Sequence, residues 1–355
     1  MTRKAQTIEQ IAIVSDLIGS AIVLSAHSET RGRVNRIISV FALVLILVAS
    51  SADAASERLS DAIRLYENGF FKQAVELLRQ ETKASPRDAE IRFWLGRSYL
   101  NARDWKAAVT ELEKAVEFAP SNAQYRQWLG RASGERASHA FIITAYSMAR
   151  QVVREFENAR RLAPDDLSIR FDLLEYYLQA PGMVGGGKIK AEVEARAIAE
   201  IDRQKGFTAR AKIFIADKRF DEAKAELHKA TDEFPESADA CEGLADFLFE
   251  QQDIEGALQW SKKALALNPG MKFSRFLAAS AATLLRRDLE SATDELLALA
   301  AGPLYDDDAS FEQIYYRLGE NYLARGDKEK AKAAFQSAIS YNPENSGARE
   351  ALKKL

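Results

Sequence analysis

The feature that most restricts this chain is a recurring distance between prolines. Pro86 and Pro120, Pro235 and Pro269, and Pro269 and Pro303 each stand 34 residues apart. Proline has no N–H to donate and pushes the residue before it away from helix, so each of these prolines ends whatever helix precedes it. The other intervals, 120 to 164, 164 to 235 and 303 to 343, exceed a multiple of 34 by 10, 3 and 6. A chain cut at such intervals is a set of short units, each long enough for two helices.

The clearest unit is Glu312 to Pro343, EQIYYRLGENYLARGDKEKAKAAFQSAISYNP. Tyr315, Leu318, Gly319 and Tyr322 fall three and four apart on one helical face, and Ala331, Phe335 and Ala338 do so on a second. Gly319 and Ala331 carry almost no side chain, so two helices can approach there while Tyr322 and Phe335 fill the gaps beside them. Gly326-Asp327 supplies the turn and Asn342-Pro343 the stop. This arrangement resembles the tetratricopeptide repeat, whose period is about 34 residues. The resemblance implies an all-α fold, a right-handed α-solenoid of about eight helix-turn-helix repeats closed by a capping helix.

Laid along the chain, the template gives Ala62, Leu65, Ala74 and Leu78 in repeat 1, with Gly69 near the turn. Repeat 2 has Leu95, Gly96, Tyr99, Ala108, Leu112 and Ala115. Repeat 3 begins at Leu129-Gly130 and ends at Phe156, Ala159 and Pro164, with ten extra residues between. These are apolar enough to need burial, either by lengthening both helices by about a turn and a half or against a partner. Repeat 4 uses Leu173, Leu174 and Tyr177, then a PGMVGGGK loop, then a helix from about Ile189 to Gln204 with Lys205-Gly206 as its break. Repeats 5 and 6 are read from Ala211, Ala223, Leu227 and Ala230, and from Leu244, Ala245, Ala257 and Ala264. In repeat 7 Ala278 and Ala279 fit, but DLESATDELLALAAG matches one residue out of register. An acidic link, Leu304 to Ser310, leads to repeat 8. The solenoid is expected over 55–345 and the polar cap over 346–355.

Ahead of the repeats, Arg33 and Arg36 precede an apolar run from Ile37 to Ala49 that ends in Ala52-Asp53-Ala54. A positive flank, a short apolar core and a small-x-small site are the pattern of a secretory signal, so residues 34–54 are expected to be cut after Ala54. Residues 1–33 are then expected to precede the true translation start. If the chain keeps them, residues 37–52 become a membrane anchor. Either way the repeats lie outside the cytoplasm, in a periplasmic location.

Forty-nine Lys and Arg against 52 Asp and Glu give a formal charge of −3. That balance argues against a nucleic-acid partner. One cysteine, Cys241, excludes an internal disulfide framework and reads as a small core residue. His27 lies in the segment expected to be removed, His139 and His228 lack the spaced partners that metal ligation requires, and Asp306-Asp307-Asp308 lacks the calcium-loop pattern, so no metal is expected. Gly182 to Lys188 satisfies the spacing of a phosphate-binding loop. The following residue is Ile189 and not Ser or Thr, and a helix and not a strand leads into the loop. We therefore expect no cofactor and no small-molecule substrate. A nucleotide-dependent enzyme using Lys188 is the alternative.

The resemblance implies a groove, lined by each first helix, that receives a peptide or a partner protein. By register the groove positions are Phe93, Arg97 and Asn101, then Arg131, then Phe171 and Glu175, then Phe249, then Tyr316. Arginines gather toward the N-terminal half and acids toward the C-terminal half, so the groove is expected to discriminate ligand charge along its length. The inserted segment adds Phe141, Ile142 and Tyr146 as a second candidate contact. The expected function is that of a non-enzymatic envelope scaffold, or of a membrane-tethered organiser.

Overall fold

A computed structural model describes residues 56–355, apart from Asp306 and Asp307 and the side chains of Ile142 and Ile143. The expected leader (1–33), the signal or anchor segment (34–54) and His27 lie outside the described residues. The chain divides into two units, Met1–Ser60 and Asp61–Leu355. Within the first, 56–60 are helical. The second unit spans the expected repeats.

This unit is helical, and among the described residues it holds no strand. Its first helix, α1, covers 61–67 in this unit. Then come α2 (Phe71–Ala84), α3 (Ala89–Asn101), α4 (Trp105–Phe118), α5 (Ala123–Ser138) and α6 (Ile142–Leu162). The middle holds α7 (Leu167–Gln179), α8 (Lys188–Ile201), α9 (Arg203–Ala216), α10 (Phe220–Glu233), α11 (Ala238–Glu250) and α12 (Ile254–Leu267). The series ends with α13 (Lys272–Leu285), α14 (Leu289–Ala301), α15 (Phe311–Ala324), α16 (Lys328–Tyr341) and α17 (Ser346–Lys354). Paired in order, they make eight hairpins and a cap. From α2 onward each helix packs on the next, and first helices of neighbouring hairpins also touch, α3 with α5, α7 with α9, α11 with α13 and α13 with α15.

Local chemistry sets these boundaries. Each of the seven stop prolines lies two residues beyond the last residue of a second helix, as Pro86 does after Ala84 and Pro343 after Tyr341. Asp88, Asp104, Asn122, Asp166, Asp253 and Asp327 cap the following helices by accepting from backbone N–H groups. Ser310 and Gln313 form a reciprocal capping box at the start of α15.

The small-against-large code is present as packing. A Cβ added to Gly96 would meet Leu112 at 2.5 Å, and one added to Gly130 would meet the Phe156 ring at 2.5 Å. Gly319 faces the Phe335 ring in the same way, and Phe335 is fully buried. Interiors are close-packed, so these pairs fix how near the two helices of a hairpin stand.

Two readings of the sequence are corrected. The second helix of repeat 4 ends at Ile201, and Asp202 both terminates it and caps α9 through Lys205 N–H. Lys205 and Gly206 therefore belong to the first turn of α9, where Gly206 meets Ala199 closely, and they are not the break. The ten extra residues of repeat 3 are absorbed unequally. Helix α6 takes most of them and reaches 21 residues, while α5 has 16.

Candidate functional site

The eight hairpins do not leave their inner surface open along its length, because within this unit repeat 8 touches repeat 1. The Phe71 ring stands edge-on to Phe311 (centroids 6.4 Å apart) and to Tyr341 (6.3 Å). Phe311 stacks on Tyr341, and Tyr341 on Tyr315. Leu304 N–H donates to the carbonyl of Glu67 at 2.8 Å. Arg103 pairs with Glu344, which also lies 3.4 Å from His139 Nε2.

This return forms one side of an open cavity of about 760 Å³. One wall is made by the first helices of repeats 2 to 4, with Asn101, Trp128, Arg131, Asp172, Glu175 and Gln179. The other is made by Leu304, Tyr305 and Asp308 to Glu312, together with Tyr341 and Asn342. The lining mixes aromatic faces with both signs of charge. Arg131 donates to Asp172 at 2.8 Å and lies 4.9 Å from the Trp128 ring. Burial pushes the Asp172 carboxyl above its ordinary value, and the Arg131 charge pulls it partly back. Glu175 accepts from Lys212 at 2.6 Å, which ties the wall of repeat 4 to repeat 5.

Of the expected groove residues, Asn101, Arg131 and Glu175 line this cavity. Phe93 and Arg97 do not, which corrects their assignment as accessible contacts. Phe93 is 3% exposed and stacks on Tyr125 at 4.6 Å. Arg97 is 6% exposed. Its guanidinium sits 4.0 Å from the Trp128 ring, 4.6 Å from Trp94 and 4.7 Å from Tyr66, and it donates to the Tyr66 hydroxyl. It is a planar cation built into the wall by its aromatic neighbours. Asn101 donates to the same hydroxyl at 2.9 Å, so Tyr66 joins repeat 1 to repeat 2.

Tyr316 is half-buried. Its ring lies 5.8 Å from Phe335 and packs with Ala348, Ala351 and Leu352 under the capping helix. Phe171 is half-buried against the core of repeat 4, and Phe249 is half-buried with Arg317 5.4 Å from its ring. Near Phe249, burial and then Glu250 push Asp246 up to about 6. Of the inserted segment, Phe141 is 92% exposed and Tyr146 is exposed, while the side chain of Ile142 is outside the described residues.

The glycine loop builds a turn between two helices. Gly182–Val184 form one 3₁₀ turn, Gly185 (φ 99°) and Gly187 (φ 148°) take conformations open to glycine, and Lys188 begins α8. A Cβ at Gly186 would overlap the carbonyl oxygen of Ala180. The Lys188 ammonium pairs with Asp217. Among the described residues no cluster of His, Cys, Asp or Glu is arranged to hold a metal ion, and no helix is long and apolar enough to cross a membrane.

Sequence reasoning missed a recurring pair. Arg92, Arg126 and Arg170 each donate through Nε to the carbonyl of the preceding stop proline. They also pair with Glu111, Glu155 and Glu194 on second helices. The signal was readable: an arginine six residues after each of Pro86, Pro120 and Pro164.

No curated protein matches the chain in sequence. Among solved structures, a chain of yeast Tom70 is similar at 14% identity and a TM-score of 0.55, over 96% of this chain and 77% of that one. A tetratricopeptide repeat protein from Thermus thermophilus gives 19% identity and a TM-score of 0.40, over 65% and 99%. One from Parabacteroides merdae gives 15% and 0.42, over 85% and 98%. At 14% identity the likeness to Tom70 speaks to fold alone. Family models described as tetratricopeptide repeat match residues 59–123, 214–283 and 312–345, leaving unmatched 124–213, which holds the altered repeats 3 and 4, and 284–311. With the proline stops, the glycine-to-ring locks and the paired helices, these matches identify the chain as a tetratricopeptide repeat protein.

Proposed function

We propose that this protein is a non-catalytic adaptor that holds an extended segment of a partner protein against the inner faces of repeats 2 to 4. The observation that carries this reading is the cavity, whose wall presents Trp128 and Tyr176 beside Arg131, Asp172 and Glu175. Aromatic faces with a few placed charges suit a peptide that has apolar and charged side chains, and convergent polar groups of this kind fix its register. The charge order along the inner surface favours one direction of binding: Arg131 lies in repeat 3, while Glu242, Asp246 and Glu250 lie in repeat 6. The pattern of residues 34–54 supports an exported, envelope location, with 37–52 as the attachment if it is kept.

Site-specific photocrosslinking tests the reading. A photoreactive residue at Gln179 is expected to capture one partner protein in cells, and the same residue at Lys330 is expected not to. Arg131→Glu is expected to abolish the capture. Equal capture from both positions, or no loss in the Arg131 variant, would overturn it. For catalysis, the competing expectation is nucleotide binding through Lys188. Absence of nucleotide affinity in the native chain removes it.

A further inference from the structure

Repeats 2, 5, 6 and 8 turn between their helices through three residues, with Arg103, Lys218, Gln252 and Gly326 at positive φ. Repeat 3 joins its helices through three residues with none at positive φ, repeat 4 joins its helices through eight, and both place large apolar side chains in solvent. Phe141, at the start of α6, is 92% exposed, and Met183, in the glycine loop, is 69% exposed. Ile189, in the first turn of α8, is 78% exposed.

These turns form one edge. Tyr146 donates to the carbonyl of Met183 at 3.1 Å, which joins the start of α6 to the glycine loop. Lys188 pairs with Asp217, which joins that loop to the turn of repeat 5. Cations stand along the edge as well. The Lys190 ammonium donates to the carbonyl of Gly185, and the Arg150 guanidinium lies 5.4 Å from the Tyr146 ring. Lys218 is exposed at the next turn. Among the described residues no carboxylate pairs with Arg150, Lys190 or Lys218.

We propose that this edge of repeats 3 to 5 rests on an anionic lipid bilayer, with Phe141, Met183 and Ile189 entering the headgroup region. The complement of charge selects this occupant. Protruding apolar side chains flanked by unpaired lysine and arginine match an interface that is apolar below and negative above. A protein partner of ordinary affinity would need about 800 Å² of continuous surface on each side, and isolated tips on successive turns do not supply it. The inference stands on this edge alone and not on the cavity.

The test uses the full chain carrying Met183→Cys, labelled with an environment-sensitive fluorophore; native Cys241 is fully buried and out of reach of the reagent. A second labelled chain carries Phe141→Cys, and a control carries Lys330→Cys on α16. Each is mixed with vesicles of phosphatidylcholine alone or with one quarter phosphatidylglycerol. Emission from positions 183 and 141 is expected to shift to the blue with the anionic vesicles only, and emission from 330 is expected not to move. Lys190→Glu and Lys218→Glu are each expected to weaken the response about fivefold or more. No shift at 183 and 141 overturns the proposal. So does an equal shift at 330, which would mean attachment through another part of the chain, or an equal response to vesicles without phosphatidylglycerol.

Discussion

Repeats 3 and 8 share one lock and differ in one turn. In repeat 8, Gly319 admits the Phe335 ring; in repeat 3, Gly130 admits the Phe156 ring; and each second helix stops two residues before a proline. The helices of repeat 8 are joined through Arg325, Gly326 and Asp327. Those of repeat 3 are joined at His139 to Phe141, and α6 carries half again as many residues as α16. The lock sits mid-hairpin, so it holds the helix spacing whatever happens at the turn. The turn end is therefore the part of a repeat that can be rebuilt without losing the stack, and it is where the exposed apolar tips are found.

The sharpest way to break this comparison is to remove the two rings. Phe335→Ala and Phe156→Ala should each cost about 3–5 kcal/mol in urea unfolding, since each leaves a cavity opposite a glycine. The loss should be somewhat greater at 335, which is fully buried, than at 156, which keeps 5% exposure. A cost below about 1 kcal/mol at 156 would show that the lengthened repeat has abandoned the lock.

At the turn end the expected effect is smaller and local. Gly186→Ala sets a Cβ against the backbone oxygen of Ala180, so the loop must move, at a cost of about 1–3 kcal/mol. Gly182→Ala meets open space and should change stability by less than about 0.5 kcal/mol. Hydrogen exchange over 180–190 distinguishes them: faster exchange is expected in the Gly186 variant only.

These positions also mark how far the sequence can be read. Spacing and side-chain size are enough to place the hairpins, because a proline stop and a glycine opposite a ring act within one repeat. The exceptions are decided by contacts far apart in the chain. Arg97 falls at a groove position by register, yet Tyr66, Trp94 and Trp128 bury it, and Tyr316 falls at another, yet the capping helix packs on it and leaves it half-buried. The contact of Phe71 with Phe311 and Tyr341, which lines one side of the cavity, follows from the summed rotation of eight repeats and has no local signature. Lys205-Gly206 has the composition of a break, but Asp202 serves two helices at once and leaves no room for one.

The charged inner surface gives a pH-dependent test. Burial, with Glu250 next, raises Asp246 from 3.8 to about 6, so the folded chain binds that proton more tightly than the unfolded chain. Stability from this group is present below about pH 4 and is lost as pH rises through about 6. Asp246→Asn should therefore be more stable than the native chain at pH 7, by on the order of 1 kcal/mol after solvent screening. The gain should vanish near pH 4. A gain that is unchanged across that range would assign the effect to packing and not to charge.

The smallest effect concerns the ordinary turns. Gln252 holds φ 63°, at the position where Gly326 holds φ 84° in repeat 8. A side chain at such an angle costs about 1 kcal/mol, from which the greater entropy loss of glycine on folding must be subtracted. Gln252→Gly should thus raise stability by at most a few tenths of a kcal/mol. Gly326→Gln should lower it by a similar amount, since a Cβ at Gly326 meets nothing within 4 Å and only backbone strain opposes it. Opposite and similar shifts in the urea midpoint would establish the two turns as interchangeable. If both substitutions destabilised, the left-handed turn of repeat 6 would be held by its own side chain, and regular repeats would carry individual turn chemistry as repeats 3 and 4 do.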